Sequence, residues 1–251
     1  MATAEKFFDP FSVLGPPLDK HTVRLDTLHD RSVSETLALQ EGLLIMIAKL
    51  MEITRLIAGP GVRGGVSELE WCQELAREVH RLEKILTGNF LASGWRGDVF
   101  KGLLRLPVRL ERIGDMLESI LNCCRIKAED GIPFCDKSFE ELDHLFSALR
   151  ETLEHLGAAI VSPDRQLLEG IFSLNRRLSD SLLDDRLAHW DRVEAGLTAF
   201  QASSLYLDIL DSITSANEYV KKMASTLLEL GMMDASLATT PETRPADSPC
   251  G

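Results

Sequence analysis

The chain has 251 residues, 45% hydrophobic and 26% charged, with only 6% aromatics and a net charge of −12. That composition suits a globular helical protein, and strand-like alternation of β-branched residues is nearly absent. An acidic balance without a concentrated basic patch repels phosphate backbones and argues against nucleic-acid binding. Five cysteines, an odd number with no C-x-x-C spacing, argue against a disulfide framework or a structural zinc site. No signal peptide is read at the amino end. The most apolar run, Leu43–Met51, contains Lys49 and is far shorter than the ~20 residues of a membrane span, so a cytoplasmic protein is expected.

Residues 1–32 carry Pro10, Pro16 and Pro17 without helical periodicity, which predicts an irregular arm docked through Phe7, Phe8 and Phe11. The first helix starts near Ser34, shows Leu43, Met46, Leu50, Ile53 and Ile57 at steps of three and four, and stops at Gly59-Pro60-Gly61. Ser67 with Glu70 reads as a capping box that opens a second helix through Leu75, Val79, Leu82 and Leu86 to about Leu91. Ser93-Gly94 and Gly97 separate it from the third helix, Gly97–Asp130. There Val99, Leu103, Leu106, Leu110, Ile113, Leu117, Ile120 and Cys124 form a heptad seam. Pro107 lies inside that helix and predicts a local kink.

On the face opposite the seam fall Glu111, Asp115, Glu118 and Asn122. Glu111 and Asp115 stand one turn apart, about 5–6 Å between Cβ atoms, so both carboxylates can reach one hard cation. The second helix offers Glu74, Glu78, His80 and Glu83 as complements, since oxygen and imidazole donors suit iron or manganese. The bland reading is a solvated helix face neutralised by Arg112 or Arg105.

Beyond a linker at Gly131–Ser138 the pattern repeats. A shift of 103 residues places Leu43, Met46, Leu50, Ile53, Ile57 and Pro60 on Phe146, Leu149, Leu153, Leu156, Ile160 and Pro163. The same shift places Leu103, Leu106, Leu110, Ile113, Leu117 and Ile120 on Tyr206, Ile209, Ile213, Ala216, Val220 and Met223. A common shift at both ends argues for duplication of a three-helix unit. The fold expected is all-α, two tandem three-helix bundles over 33–130 and 131–230, with a disordered tail over 231–251. The second unit's helices are read at Lys137–Val161, Pro163–Glu194 and Ala199–Leu230. Glu141-x-x-His144 occurs once, whereas a di-iron four-helix bundle uses that unit twice. Trp71, Trp95 and Trp190 read as packing anchors. No phosphate loop or nucleophile elbow is present, so no enzymatic activity is indicated.

With this architecture the chain resembles the PhoU family. Leu110-Glu111-Arg112-Ile113-Gly114-Asp115 resembles the family's E-x-x-x-D helix motif, in the third helix where it belongs. Ser203-Ser204-Leu205-Tyr206-Leu207-Asp208-Ile209-Leu210 resembles the start of the last helix in PhoU domains attached to sodium/phosphate cotransporters. The resemblance spans roughly Ser34–Leu230. It implies two three-helix bundles side by side and control of phosphate uptake through a membrane phosphate transporter or a phosphate-sensing kinase. The location implied is cytoplasmic, at the inner face of the membrane, and a homodimer is considered. It also implies iron, or another divalent or trivalent metal ion, at the E-x-x-x-D carboxylates, with Glu111, Asp115, Glu118, Glu78 and His80 as ligand candidates. The second unit departs from that pattern: Thr214, Glu218 and Lys221 match Glu111, Asp115 and Glu118, and Asn175-Arg176-Arg177 stands where acids are usual, so a second site is expected to be absent or weak. Alternatives are a metal-dependent helical-bundle enzyme and a scaffold unrelated to phosphate.

Overall fold

Among the described residues the heptad seams fold as six helices: α1 (Asp30–Leu56), α2 (Val66–Ala92), α3 (Asp98–Glu129), α4 (Asp136–Val161), α5 (Arg165–Glu194) and α6 (Phe200–Ala238). The computed structural model describes residues 30–94 and 96–238, and the side chains of residues 36–59, 61–94 and 96–231. The arm predicted to dock through Phe7, Phe8 and Phe11, and Trp95, lie outside the described residues.

α1–α3 pack against one another as one bundle and α4–α6 as the other. The bundles meet along matching helices, α1 on α4 and α3 on α6, while α2 and α5 pack only within their own bundle. Both matching pairs run antiparallel. Gln40 Nε2 donates to the Ile160 carbonyl at 2.8 Å while Arg63 pairs with Asp143, and the Arg109 guanidinium donates to the Lys222 carbonyl and the Thr226 hydroxyl. Counterpart helices that pack on each other in opposite directions are what a two-fold arrangement of the halves produces. One contiguous apolar core runs through all six helices.

The repeat is carried by burial. Leu110, Ile113, Leu117 and Ile120 in α3 are buried, and so are their counterparts Ile213, Ala216, Val220 and Met223 in α6. Two helices that are not counterparts in the repeat, α3 and α5, end alike. Gly131 (φ 63°) and Gly196 (φ 69°) take the left-handed conformation just past α3 and α5. The chain then folds back, with the Ile132 N–H on the Lys127 carbonyl and the Leu197 N–H on the Arg192 carbonyl. This is the glycine-terminated cap that absorbs a helix's last free carbonyls.

Several local expectations are corrected. Past Leu56, α1 widens into a π-turn over Ile57–Gly61, closed by the Val62 N–H on the Ile57 carbonyl. Pro60 has no N–H to continue the α ladder, so the bonding shifts by one residue. The capping box at Ser67 does not form. Gly65 is the N-cap of α2, and the Ser67 hydroxyl bonds Glu68 inside the first turn. Pro107 lies inside α3 as expected, buried and without ending the helix. Val99, at the start of the predicted seam, is exposed where α3 begins. α6 runs on through Gly231 to Ala238, so the start of the predicted tail is helical; residues 239–251 lie outside the described residues. Trp71 packs half-buried on the core, but Trp190 is exposed.

Candidate metal centre

Gly114, in the middle of the Leu110–Asp115 motif, is buried, and a Cβ there would stand 3.4 Å from Val79 Cγ1 of α2. That is ordinary packing distance, so Val79 sits directly against this point of α3, and the next residue along α2, His80, lies over the acidic stripe. His80 Nδ1 is 3.1 Å from Glu111 Oε1, and its Nε2 is 3.7 Å from Asp115 Oδ1 and 3.3 Å from Glu118 Oε2. The stripe is therefore no solvated outer face. Glu111, Asp115 and Glu118 are half-buried in the α2–α3 furrow, and only Asn122, farther along, is exposed.

His80, Glu111 and Asp115 each present one ligand atom within 4.8 Å of the others, the one such group of three among the described residues. An imidazole nitrogen with carboxylate oxygens is a donor set that fits iron, manganese or zinc. Arg112 flanks it, donating to Asp115 Oδ2 at 2.8 Å and lying 3.7 Å from Glu111 Oε2. Burial disfavours charge on His80, but hydrogen bonds and charge from Glu118, then Glu111 and Asp115, outweigh it and raise the ring's pKa above its ordinary value. Protein groups alone thus partly neutralise the three acids.

The other candidates on α2 are directed elsewhere. Glu78 pairs with the largely buried ammonium of Lys49 from α1, Glu74 pairs with Arg77, and Glu83 accepts from the Thr87 hydroxyl. In the second bundle the Thr214 hydroxyl bonds back to the Leu210 carbonyl, and Glu218 pairs with Lys221. The shift of 103 replaces His80 by Leu183, which is exposed. No counterpart of the cluster is assembled there.

The second bundle holds two polar constellations that periodicity did not reveal. Glu141 in α4 is buried, with both carboxylate oxygens on the Arg192 guanidinium of α5 (2.8 and 2.7 Å) and the Tyr206 hydroxyl of α6 donating at 2.6 Å. His144, its E-x-x-H companion, is exposed, so the two do not share a site. Asn175 and Asn217, both buried, exchange side-chain-to-carbonyl bonds of 2.7 and 2.9 Å between α5 and α6. Glu141 stands four residues before the core residue Leu145, so an acid on an apolar stripe was a visible signal. Its partners, 51 and 65 residues away, were not.

No family model matches the sequence, and no curated protein matches it. Solved structures do. The structure of PhoU from Pseudomonas aeruginosa superposes with a TM-score of 0.68 at 14% identity, covering 80% of this chain and 99% of that one. The fold is that of PhoU. The phosphate transport system regulatory protein PhoU from Streptococcus pneumoniae agrees, with a TM-score of 0.64 at 12% identity over 79% of this chain and 97% of its own. At such identity the likeness to PhoU rests on the six-helix arrangement rather than on residue-by-residue correspondence. No helix among the described residues is long and apolar enough to cross a membrane.

Proposed function

We propose that this protein is a non-enzymatic regulator of phosphate transport or phosphate signalling, which docks on a membrane phosphate transporter or a phosphate-sensing kinase. The observation that carries this reading is the likeness of both bundles together to PhoU, across nearly the whole length of the phosphate transport system regulatory protein of Streptococcus pneumoniae. Without a spanning helix among the described residues, the protein would meet a transporter from the cytoplasmic side, as a peripheral partner. Regulation would follow from binding one conformational state of the partner more tightly than another.

The α2–α3 furrow supplies the finer part of the proposal. His80, Glu111 and Asp115, with Glu118 beside them, would hold a divalent or trivalent cation such as iron. A bound cation would supply positive charge that ties α2 to α3, fixing the outer surface of the first bundle. The chain's own part is to bring an imidazole from one helix over carboxylates from the next.

Affinity capture from detergent-solubilised cells grown in ample phosphate tests the docking. Recovery of a phosphate transporter or sensor kinase is expected, whereas reproducible recovery of unrelated partners without either would overturn it. For the cation, protein purified without chelator or tag is compared with Glu111→Ala/Asp115→Ala for bound metal. Metal in the wild type alone is expected, and equal, negligible metal in both would remove the site.

A further inference from the structure

An open cavity of about 340 Å³ lies where α4 and α6 begin. Cys135 and Ser138 line it from the start of α4, and Thr198, Ala199 and Ala202 from the start of α6. Two long helices thus present their amino ends, with unpaired backbone N–H groups and positive dipole ends, to one space. The remaining wall is mostly apolar, with Pro133, Phe134, Leu197 and the ring of Tyr206.

An independent feature marks the same cavity. His189 lines it, is fully buried, and has no partner for its Nδ1. The ring is locked by stacking on Tyr206 (4.5 Å between centroids) and by Ser203 Oγ, 2.8 Å from Nε2. A second orphan, Arg192 Nε, belongs to the guanidinium whose other nitrogens are taken by Glu141. A buried polar atom without a partner is costly, and native proteins rarely keep one without a use. Burial would raise the pKa of the Cys135 thiol, but hydrogen bonding from Ser138 and the charge of Arg192 pull it below the usual thiol value. That shift is local to the thiol beside Ser138, since burial and the Glu141 carboxylate push the Tyr206 hydroxyl on the same wall the other way.

We propose that this cavity binds a small organic anion, a carboxylate carried on a short apolar body, between the amino ends of α4 and α6. The carboxylate takes the helix N–H groups and the Nδ1 proton of His189, which carries it when the Ser203 hydroxyl donates to Nε2. The apolar body lies against Phe134, Leu197 and Tyr206. Because the wall is mainly apolar, a free inorganic anion fits less well than an acid with a hydrocarbon portion. Both helices that frame the cavity belong to the inter-bundle contact, α4 against α1 and α6 against α3, so occupancy can be felt at the packing of the two halves.

The test uses the full-length protein and four probes: benzoate, hexanoate, hexylamine and inorganic phosphate, titrated by calorimetry and ligand-observed NMR. One of the carboxylates is expected to bind with a Kd below about 1 mM, with hexylamine and phosphate silent at about 10 mM. His189→Phe keeps the stacked ring and removes the nitrogen, and Ala202→Leu fills the space. Each, when its helical circular dichroism matches wild type, should weaken binding at least about tenfold. A readout in the wild type does not depend on any variant folding: the bound carboxylate should slow iodoacetamide alkylation of Cys135 several-fold, followed peptide by peptide by mass spectrometry. Absence of carboxylate binding, binding of phosphate or hexylamine instead, undiminished binding in correctly folded variants, or unprotected Cys135 at saturation would each overturn the proposal.

Discussion

Replacing Glu141 by alanine tests whether the second bundle is held by a buried ion pair. The Glu141 side chain is 3% exposed and accepts three short bonds, two from Arg192 and one from Tyr206. Truncation leaves the guanidinium of Arg192, itself 15% exposed, without a counter-charge and strands the Tyr206 hydroxyl. Breaking a buried pair from one side costs about 3–5 kcal/mol, because the surviving charge remains desolvated. Deleting a neutral hydrogen bond would cost only about 1 kcal/mol. For a protein of this size the larger figure corresponds to a fall in Tm of about 10 °C. Urea denaturation followed by circular dichroism and by tryptophan fluorescence measures it, with coincident transitions as the check on two-state behaviour. Glu141→Leu/Arg192→Met/Tyr206→Phe removes all three polar partners and should recover most of the loss, since a packed apolar replacement spares the desolvation of both charges. A loss under about 1 kcal/mol for Glu141→Ala, or a triple variant no better than the single one, would refute the reasoning.

Leu110, fully buried in the α3 seam, should cost about 2–5 kcal/mol as Leu110→Ala, read as a lower urea midpoint with an unchanged slope. Asn217→Ala should cost about 1–3 kcal/mol, because the buried Asn175 amide loses one acceptor and the Asn175 backbone carbonyl loses one of its donors, and the loss should exceed that of the exposed control Ser119→Ala. Burial, then the charge of Arg192, holds the His189 pKa below its ordinary value, so the native state favours the neutral ring. Its contribution is complete above about pH 6.5 and erodes as the pH falls below that value, because the unfolded chain takes up the proton first. His189→Phe should therefore lose less stability than wild type between about pH 7.5 and 5.5, and an equal loss in both proteins would contradict the assignment.

The six helices were legible because their information is local and periodic. Leu110, Ile113, Leu117 and Ile120 recur at three and four residues, and a helix turning once per 3.6 residues must place them on one stripe. The duplication was legible for the same reason: Leu43 and Phe146, or Ile113 and Ala216, keep the same place in the same pattern. Helix ends were less so. The π-turn at Ile57–Gly61 and the N-cap at Gly65 depend on how the backbone settles its free N–H and carbonyl groups, and more than one residue nearby could have served.

The sequence by itself placed Glu111, Asp115 and Glu118 on one flank of one helix, since that needs only the helical repeat. It could not tell which of Glu74, Glu78, His80 and Glu83 meets them. That choice depends on the rotation of α2 about its own axis, which is settled when its apolar face, Cys72, Leu75, Ala76 and Val79, packs into the core. Tertiary structure turned Glu78 to Lys49 and laid His80 over the acids. It likewise made the Glu141–Arg192–Tyr206 network and the cavity at the amino ends of α4 and α6. Spacing along one chain fixes which residues share a helix face, but which faces meet is settled only when six helices pack into one core.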